Sequence, residues 1–346
     1  MQHLRLATRE ADFFEGDAAE CVVCLVRLRT LIVTTTEGSL ERLSCDVGRL
    51  SSLVELRTLH LSSCSSSEDA TTPTTGESSG CFTSDVSLLS TLVALESLCL
   101  SGCRRVTGDV SGLSTLVALT RLDLAGCERV TGDASHLSSL VLLQRLEMGS
   151  CDLVELRDVS RLSTLARLNV MGVCGCEKIT GELTADAVRW LSGVKGANLN
   201  GCGALTVAAD LSAIANITRV KLSGTTLRGD VGSFSTLVNL ESLRLGGSLA
   251  GNISQLSTLV NLETLKLSFC TRLTGDVSAL STLVKLEILD LSYAKRLQGD
   301  VSKLSTLVSL KHLNLEGCAW LNARGAYVRF GASLASNLSY LNLNSS

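Results

Sequence analysis

The sequence predicts an α/β solenoid. It should be a horseshoe or arc of stacked coils, with a parallel β-sheet on the concave face and short 3₁₀ or α turns on the convex face. Three observations predict it. A frame of about 24 residues recurs along the chain: Leu119–Asp133 (LTRLDLAGCERVTGD) returns at Leu95 (LESLCLSGCRRVTGD), Leu262 (LETLKLSFCTRLTGD) and Leu286 (LEILDLSYAKRLQGD). A second unit, V-S-x-L-S-T-L-V-x, runs between frames, as in Val110–Ala118 and Val277–Lys285. One slot, separated from the L-x-L by two residues, is filled by cysteine again and again: Cys64, Cys103, Cys127, Cys151, Cys202, Cys270 and Cys318.

Each part of the frame has a physical reading. Alternation in L-x-L is that of a short strand with one buried face. Aligning these cores gives thirteen coils, whose first apolar positions are Leu31, Leu59, Leu98, Leu122, Leu146, Leu168, Ala197, Val220, Leu243, Leu265, Leu289, Leu313 and Leu341. Leu4-Arg5-Leu6 is positioned to add one strand more. In the second unit, Val110, Leu113, Leu116 and Leu119 are spaced strictly by three. That spacing suits 3₁₀ turns better than an α-helix, with Asp109 as N-cap.

A single leucine-rich-repeat domain is expected over 1–346, since each coil of a solenoid contacts only its neighbours and chain length is not limited by one compact core. Three stretches depart from the frame. Residues 65–83 (SSSEDATTPTTGESSGCFT) read as a low-complexity loop insertion. Residues 171–205 read as irregular coils, with a helix over Ala185–Lys195. The stretch Asn322–Asn337 contains a second helix candidate.

Composition limits function. Net charge is −3 and hydrophobic content is 45%, carried by Leu and Val rather than aromatics. No basic field recruits nucleic acid, and no apolar run approaches the roughly 20 residues that span a bilayer. The N-terminus has no apolar signal core. The repeated cysteine slot reads as a column of buried, reduced thiols, which places the protein inside the cell, in the cytoplasm with the nucleus also open to it.

C-x-x-V-T-G-D after L-x-L (Cys103–Asp109, Cys127–Asp133) is similar to the cysteine-containing repeats of F-box-type ubiquitin-ligase receptors. D-V-S-x-L-S-x-L-V-x-L resembles the convex segment of internalin-type repeats. The combined frame most resembles leucine-rich repeat proteins of trypanosomatids and other protists, over about residues 22–346. No F-box-like helical module is expected ahead of the first coil. The resemblance implies a non-enzymatic scaffold or protein–protein interaction module that recognises a partner on its concave face. The alternatives are a ubiquitin-ligase substrate receptor or regulator, and a structural subunit of a larger complex.

Enzyme chemistry finds no foothold. The four histidines (His3, His60, His136, His312) fall in different coils, and no phosphate-binding, dinucleotide-binding or H-E-x-x-H motif is present. Gly76–Gly80 (GESSG) matches a nucleophile-elbow pattern only inside the insertion. Cys21 and Cys24, and Cys174 and Cys176, lie too many coils apart to form one four-ligand zinc site. No cofactor, metal, nucleic acid or membrane partner is expected.

The partner-binding residues are expected among the solvent-facing strand positions. Between the apolar pair stand Asp123, Glu147, Asn169, Asn198, Lys221, Arg244, Lys266 and Asp290 in successive coils. Just before it stand Arg121, Arg145, Arg167, Gly196 and Arg219. The candidate site is therefore Arg121, Asp123, Arg145, Glu147, Arg167, Arg219, Lys221, Arg244 and Lys266. Glu241, Glu263 and Glu287 flank the basic trio Lys221, Arg244 and Lys266 and are placed to neutralise it.

Overall fold

The structure is a computed structural model that describes residues 2–8, 26–35, 45–63, 82–199, 201–203, 205–222, 227–318, 321–322 and 338–343. Cys21, Cys24, Cys64, Gly76–Gly80, most of the insertion and the C-terminal helix candidate lie outside them. The chain forms two compact units, Met1–Arg157 with Arg161–Ile179, and Asp158–Ser160 with Thr180–Ser346.

The first unit is built on seven parallel strands: His3–Thr8, Thr30–Thr35, Thr58–Ser63, Ser97–Cys99, Arg121–Asp123, Arg145–Glu147 and Val170–Gly172. Register runs Leu4, Leu31, Leu59, Leu98, Leu122, Leu146, Met171. Leu4 thus opens the ladder as expected. From Leu31 onward these side chains are at most 3% exposed, and burying each contributes about 2 kcal/mol.

Coil six corrects the alignment. Met171, not Leu168, stands opposite Leu146. Leu168 is the buried residue three positions earlier, equivalent to Leu143, and its amide closes a turn on the Leu165 carbonyl. An unbranched Met fills the core slot as well as Leu does, so the frame slipped onto the preceding L-x-x-L. Residues 171–172 therefore continue the regular ladder, and Cys176 rather than Cys174 occupies the cysteine slot.

A second parallel sheet in this unit was not expected. It is formed by Cys45–Asp46, Phe82–Asp85, Val106–Asp109, Arg129–Asp133 and Val154–Glu155. These are the V-T-G-D segments; Phe82 and Thr83, read as insertion, belong to one of them. The strands lead into 3₁₀ helices, among them Val86–Thr91, Val110–Thr115 and Ala134–Ser139. The strict three-spacing is thus realised as 3₁₀ turns.

The G-D pair has a local cause. Asp109 caps its 3₁₀ helix by accepting from the Ser111 amide at 2.7 Å. In the next coil Gly132 (φ +100) packs on that carboxylate, and a Cβ there would collide with it. In most coils the Thr of L-S-T-L ties the coil to the one before. Thr115 Oγ1 donates to the Ser90 carbonyl at 2.9 Å, and Thr282 Oγ1 to the Ser257 carbonyl at 3.1 Å.

The second unit repeats this plan. Its main sheet is Arg219–Leu222, Ser242–Leu245, Thr264–Lys266, Ile288–Asp290, His312–Asn314 and Tyr340–Asn342, all parallel. The expected helix is present as Ala185–Gly193, capped by Thr184. Its buried Ala187, Val188 and Leu191 form one face at helical spacing.

Candidate functional site

Side chains alternate across a strand, so burying the leucines turns the residues beside them to solvent. In the first unit this brings Arg121 beside Arg145 and Asp123 beside Glu147. Like charges in register repel. Pairing along each strand offsets the repulsion: Arg145 Nη2 lies 3.0 Å from Glu147 Oε1, and Arg121 Nη2 lies 4.0 Å from Asp123 Oδ2. Burial raises the Glu147 pKa; Arg145 opposes the shift and Asp123 adds to it. The next strand presents Gly172, where a Cβ would collide with Glu147 Oε2. These four charges neutralise one another, as the sequence allows.

Arg167 does not belong to this array. The residue in register with Arg145 is Val170, and Arg167 is exposed in the turn ahead of the strand. The cause is the three-residue slip at Met171, which likewise puts Gly172 where Asn169 was expected.

The second unit brings its four candidates together. Lys221 is in register with Arg244, and Arg244 with Lys266. Arg219, Lys221 and Arg244 line a groove of about 520 Å³ with Lys195, Glu241 and Glu263. Lys221, Arg244 and Lys266 line a second groove of about 340 Å³ with Gly246, Gly247 and Phe269. Lys221 and Arg244 border both. Among the described residues none of Arg219, Lys221, Arg244 and Lys266 forms an ion pair. The expected neutralisation does not occur: Glu287 accepts from Lys311 Nζ at 2.7 Å instead, and Glu241 and Glu263 border the groove without closing on the cations. Asp290, in register with Lys266, accepts from the Ser292 amide and hydroxyl.

Sequence reasoning missed the aromatics. The exposed strand positions contain few, yet Phe269 and Tyr293 stack at 4.7 Å between ring centroids with planes 7° apart. His312 and Tyr340, cross-strand neighbours, stack at 4.3 Å. The Tyr293 hydroxyl donates to Glu316 Oε1 at 2.7 Å. A signal was present: L-S-F-C and L-S-Y-A carry an aromatic where other frames read L-S-G-C or L-A-G-C.

The cysteines form a hydrogen-bonded column. Cys127 Sγ donates to the Leu100 carbonyl at 3.1 Å, Cys151 to Leu124 at 3.1 Å and Cys176 to Met148 at 2.9 Å. Burial pushes the Cys127 and Cys151 thiols far up and the Cys176 and Cys318 thiols up to about 11. These groups act as small core residues and poor nucleophiles. Among the described residues no three His, Cys, Asp or Glu side chains converge as a metal site would require, and no helix is long and apolar enough to cross a membrane.

No protein-family model and no curated protein matches the chain. Among solved structures it is similar to an internalin (inlF) of Listeria monocytogenes, at 18% identity over 100% of this chain and 88% of that one, with a TM-score of 0.57. It is also similar to a leucine-rich repeat protein of Leptospira interrogans, at 15% identity over 99% of this chain and 90% of that one, with a TM-score of 0.54. With the ladders above, these likenesses establish the leucine-rich-repeat fold.

Proposed function

We propose that the chain is a non-enzymatic protein-interaction module that holds an acidic partner segment on its concave sheet, over Arg219, Lys221, Arg244 and Lys266. One observation carries this reading: Arg121 and Arg145 have their carboxylates, whereas among the described residues these four cations have none. Clustered unpaired cations raise the local potential and favour a complementary acidic surface. Arg121, Asp123, Arg145 and Glu147 would serve in orientation rather than attraction.

The test compares affinity capture by the intact chain with capture by Lys221→Glu, Arg244→Glu, Lys266→Glu combined. The partner set of the wild type should be lost from the variant. An identical set on both would remove the basic face from the interface.

A further inference from the structure

We propose that Phe269, backed by Tyr293, is the anchor of this binding site, and that its ligand is an acidic polypeptide segment carrying an aromatic side chain that stacks on the open face of Phe269. The inference rests on the basic-groove reading above and adds the chemical class of the ligand.

From Ser97–Cys99 onward, the turn after most strands contains one residue with positive φ. It is Gly102 (+75°), Gly126 (+76°), Gly175 (+78°), Gly201 (+66°), Gly247 (+98°) and Gly317 (+68°) in other coils, and the small Ser150 (+57°) in one. In two successive coils that place is taken by Phe269 (+62°) and Tyr293 (+61°). A bulky side chain in the left-handed region is an outlier, and such strain gathers at functional sites. The turn does not require it. Phe269 contributes its amide to the Ser292 carbonyl, as Gly126 does to the Gly149 carbonyl, so glycine would close the same turn.

Nor does the core require it, because Phe269 is 61% exposed. The two faces of its ring differ. One stacks on Tyr293, which is held by Glu316 and by the close backbone of Gly317, where a Cβ would lie 2.8 Å from Tyr293 Cδ1. On the other side the neighbouring coil has Gly246 and Gly247, and there the ring borders the 340 Å³ groove with Lys221, Arg244 and Lys266. A ring laid over the two glycines continues the stack. Carboxylates beside it on the same segment reach the three cations. Rigid aromatics next to cations make hot spots at small entropic cost.

A single-stranded nucleic acid would also offer rings and negative charge. The groove favours the peptide, because Glu241 and Glu263 border the adjoining basic surface and would repel a continuous phosphate backbone.

The test selects a randomised peptide display library on the intact chain. The selected pool should be rich in Asp and Glu around an aromatic residue. On Phe269→Gly the aromatic preference should vanish, and the best peptide should weaken about tenfold; Phe269→Tyr should restore both. The melting temperature of Phe269→Gly should change little, since the side chain is not part of the core. A pool that stays acidic but shows no aromatic preference, or keeps that preference on Phe269→Gly, overturns the anchor and leaves the basic-groove reading standing. A pool without acidic preference overturns both. A 20-nucleotide oligo-dT that binds the wild type and loses affinity on Phe269→Gly overturns the peptide assignment.

Discussion

At the scale of single residues, conformation and charge separate side chains that hold the fold from those free to act. Phe269 costs about 1–2 kcal/mol in the left-handed region, roughly cancelled by the about 0.5–1.5 kcal/mol of an aromatic stack. Phe269→Gly should therefore stay within about 1 kcal/mol of wild type in urea denaturation. A core aromatic would lose about 3–5 kcal/mol, and a loss of that size would make Phe269 structural. Gly132 is the contrary case. Its φ of +100° and its packing on the Asp109 cap predict that Gly132→Ala loses about 2–4 kcal/mol, from backbone strain and a disturbed cap. His312 adds a pH dependence. Burial first, and Lys266 second, lower its pKa from the ordinary 6.5, against a weaker pull from Asp290. With the folded-state value depressed, its stability contribution is present above 6.5 and is lost as pH falls through the folded-state pKa. Between about pH 7.5 and 5, the melting temperature of His312→Asn should fall less steeply than that of the wild type.

At the scale of the repeated elements, most coils are tied to the one before by a hydroxyl or thiol bond besides the strand ladder, while the Asp caps act within a coil. The thiol column makes a kinetic prediction. Cys99 and Cys174 are partly exposed, whereas Cys103, Cys127, Cys151 and Cys176 are buried. A maleimide added to the native protein should label Cys99 and Cys174 before Cys103, Cys127, Cys151 and Cys176. Denaturant without reductant should expose the rest, and all fourteen cysteines should then react. Mass spectrometry showing equal native labelling of Cys127 would contradict its burial. Unreactive cysteines in denaturant would reveal disulfides and sink the reading of a reduced column.

At the scale of the whole molecule, a net charge of −3 conceals a local basic face. Lys221 and Arg244 together should dominate attraction for an acidic partner, because both grooves meet at them. The combined reversal of Lys221, Arg244 and Lys266 to Glu should weaken a selected acidic peptide at least about tenfold. Lys221 is exposed and Arg244 and Lys266 half-buried, so each change should cost under about 1 kcal/mol of folding stability. Raising ionic strength from about 0.05 to 0.5 M should weaken the wild-type complex in the same direction, because exposed charges are screened. Calorimetric titration that shows neither effect would leave Phe269 and the apolar contacts as the source of affinity.

The amino-acid sequence alone determined the repeated elements. Strand alternation, three-spacing in V-S-x-L-S-T-L, the Asp caps and the opening strand at Leu4 are short-range patterns, and short-range backbone geometry enforces them. It misplaced coil six, because Leu168 imitates the core leucine three residues before Met171 occupies that slot. It also passed over the V-T-G-D strands, which need a neighbouring coil to pair with. The nine charged candidates were legible as columns, but not which of them would be neutralised. Arg145 closes on Glu147 along one strand because Gly172 leaves room for that carboxylate in the next coil, whereas Glu287 turns to Lys311 and leaves the basic trio open. The anchor was the least legible part, since L-S-F-C differs from L-S-G-C by one letter. Only the tertiary structure stacks Phe269 on Tyr293 and sets it beside the groove that Gly246 and Gly247 also line. Those relations join residues of different coils, and cross-coil register, not local sequence, decides them.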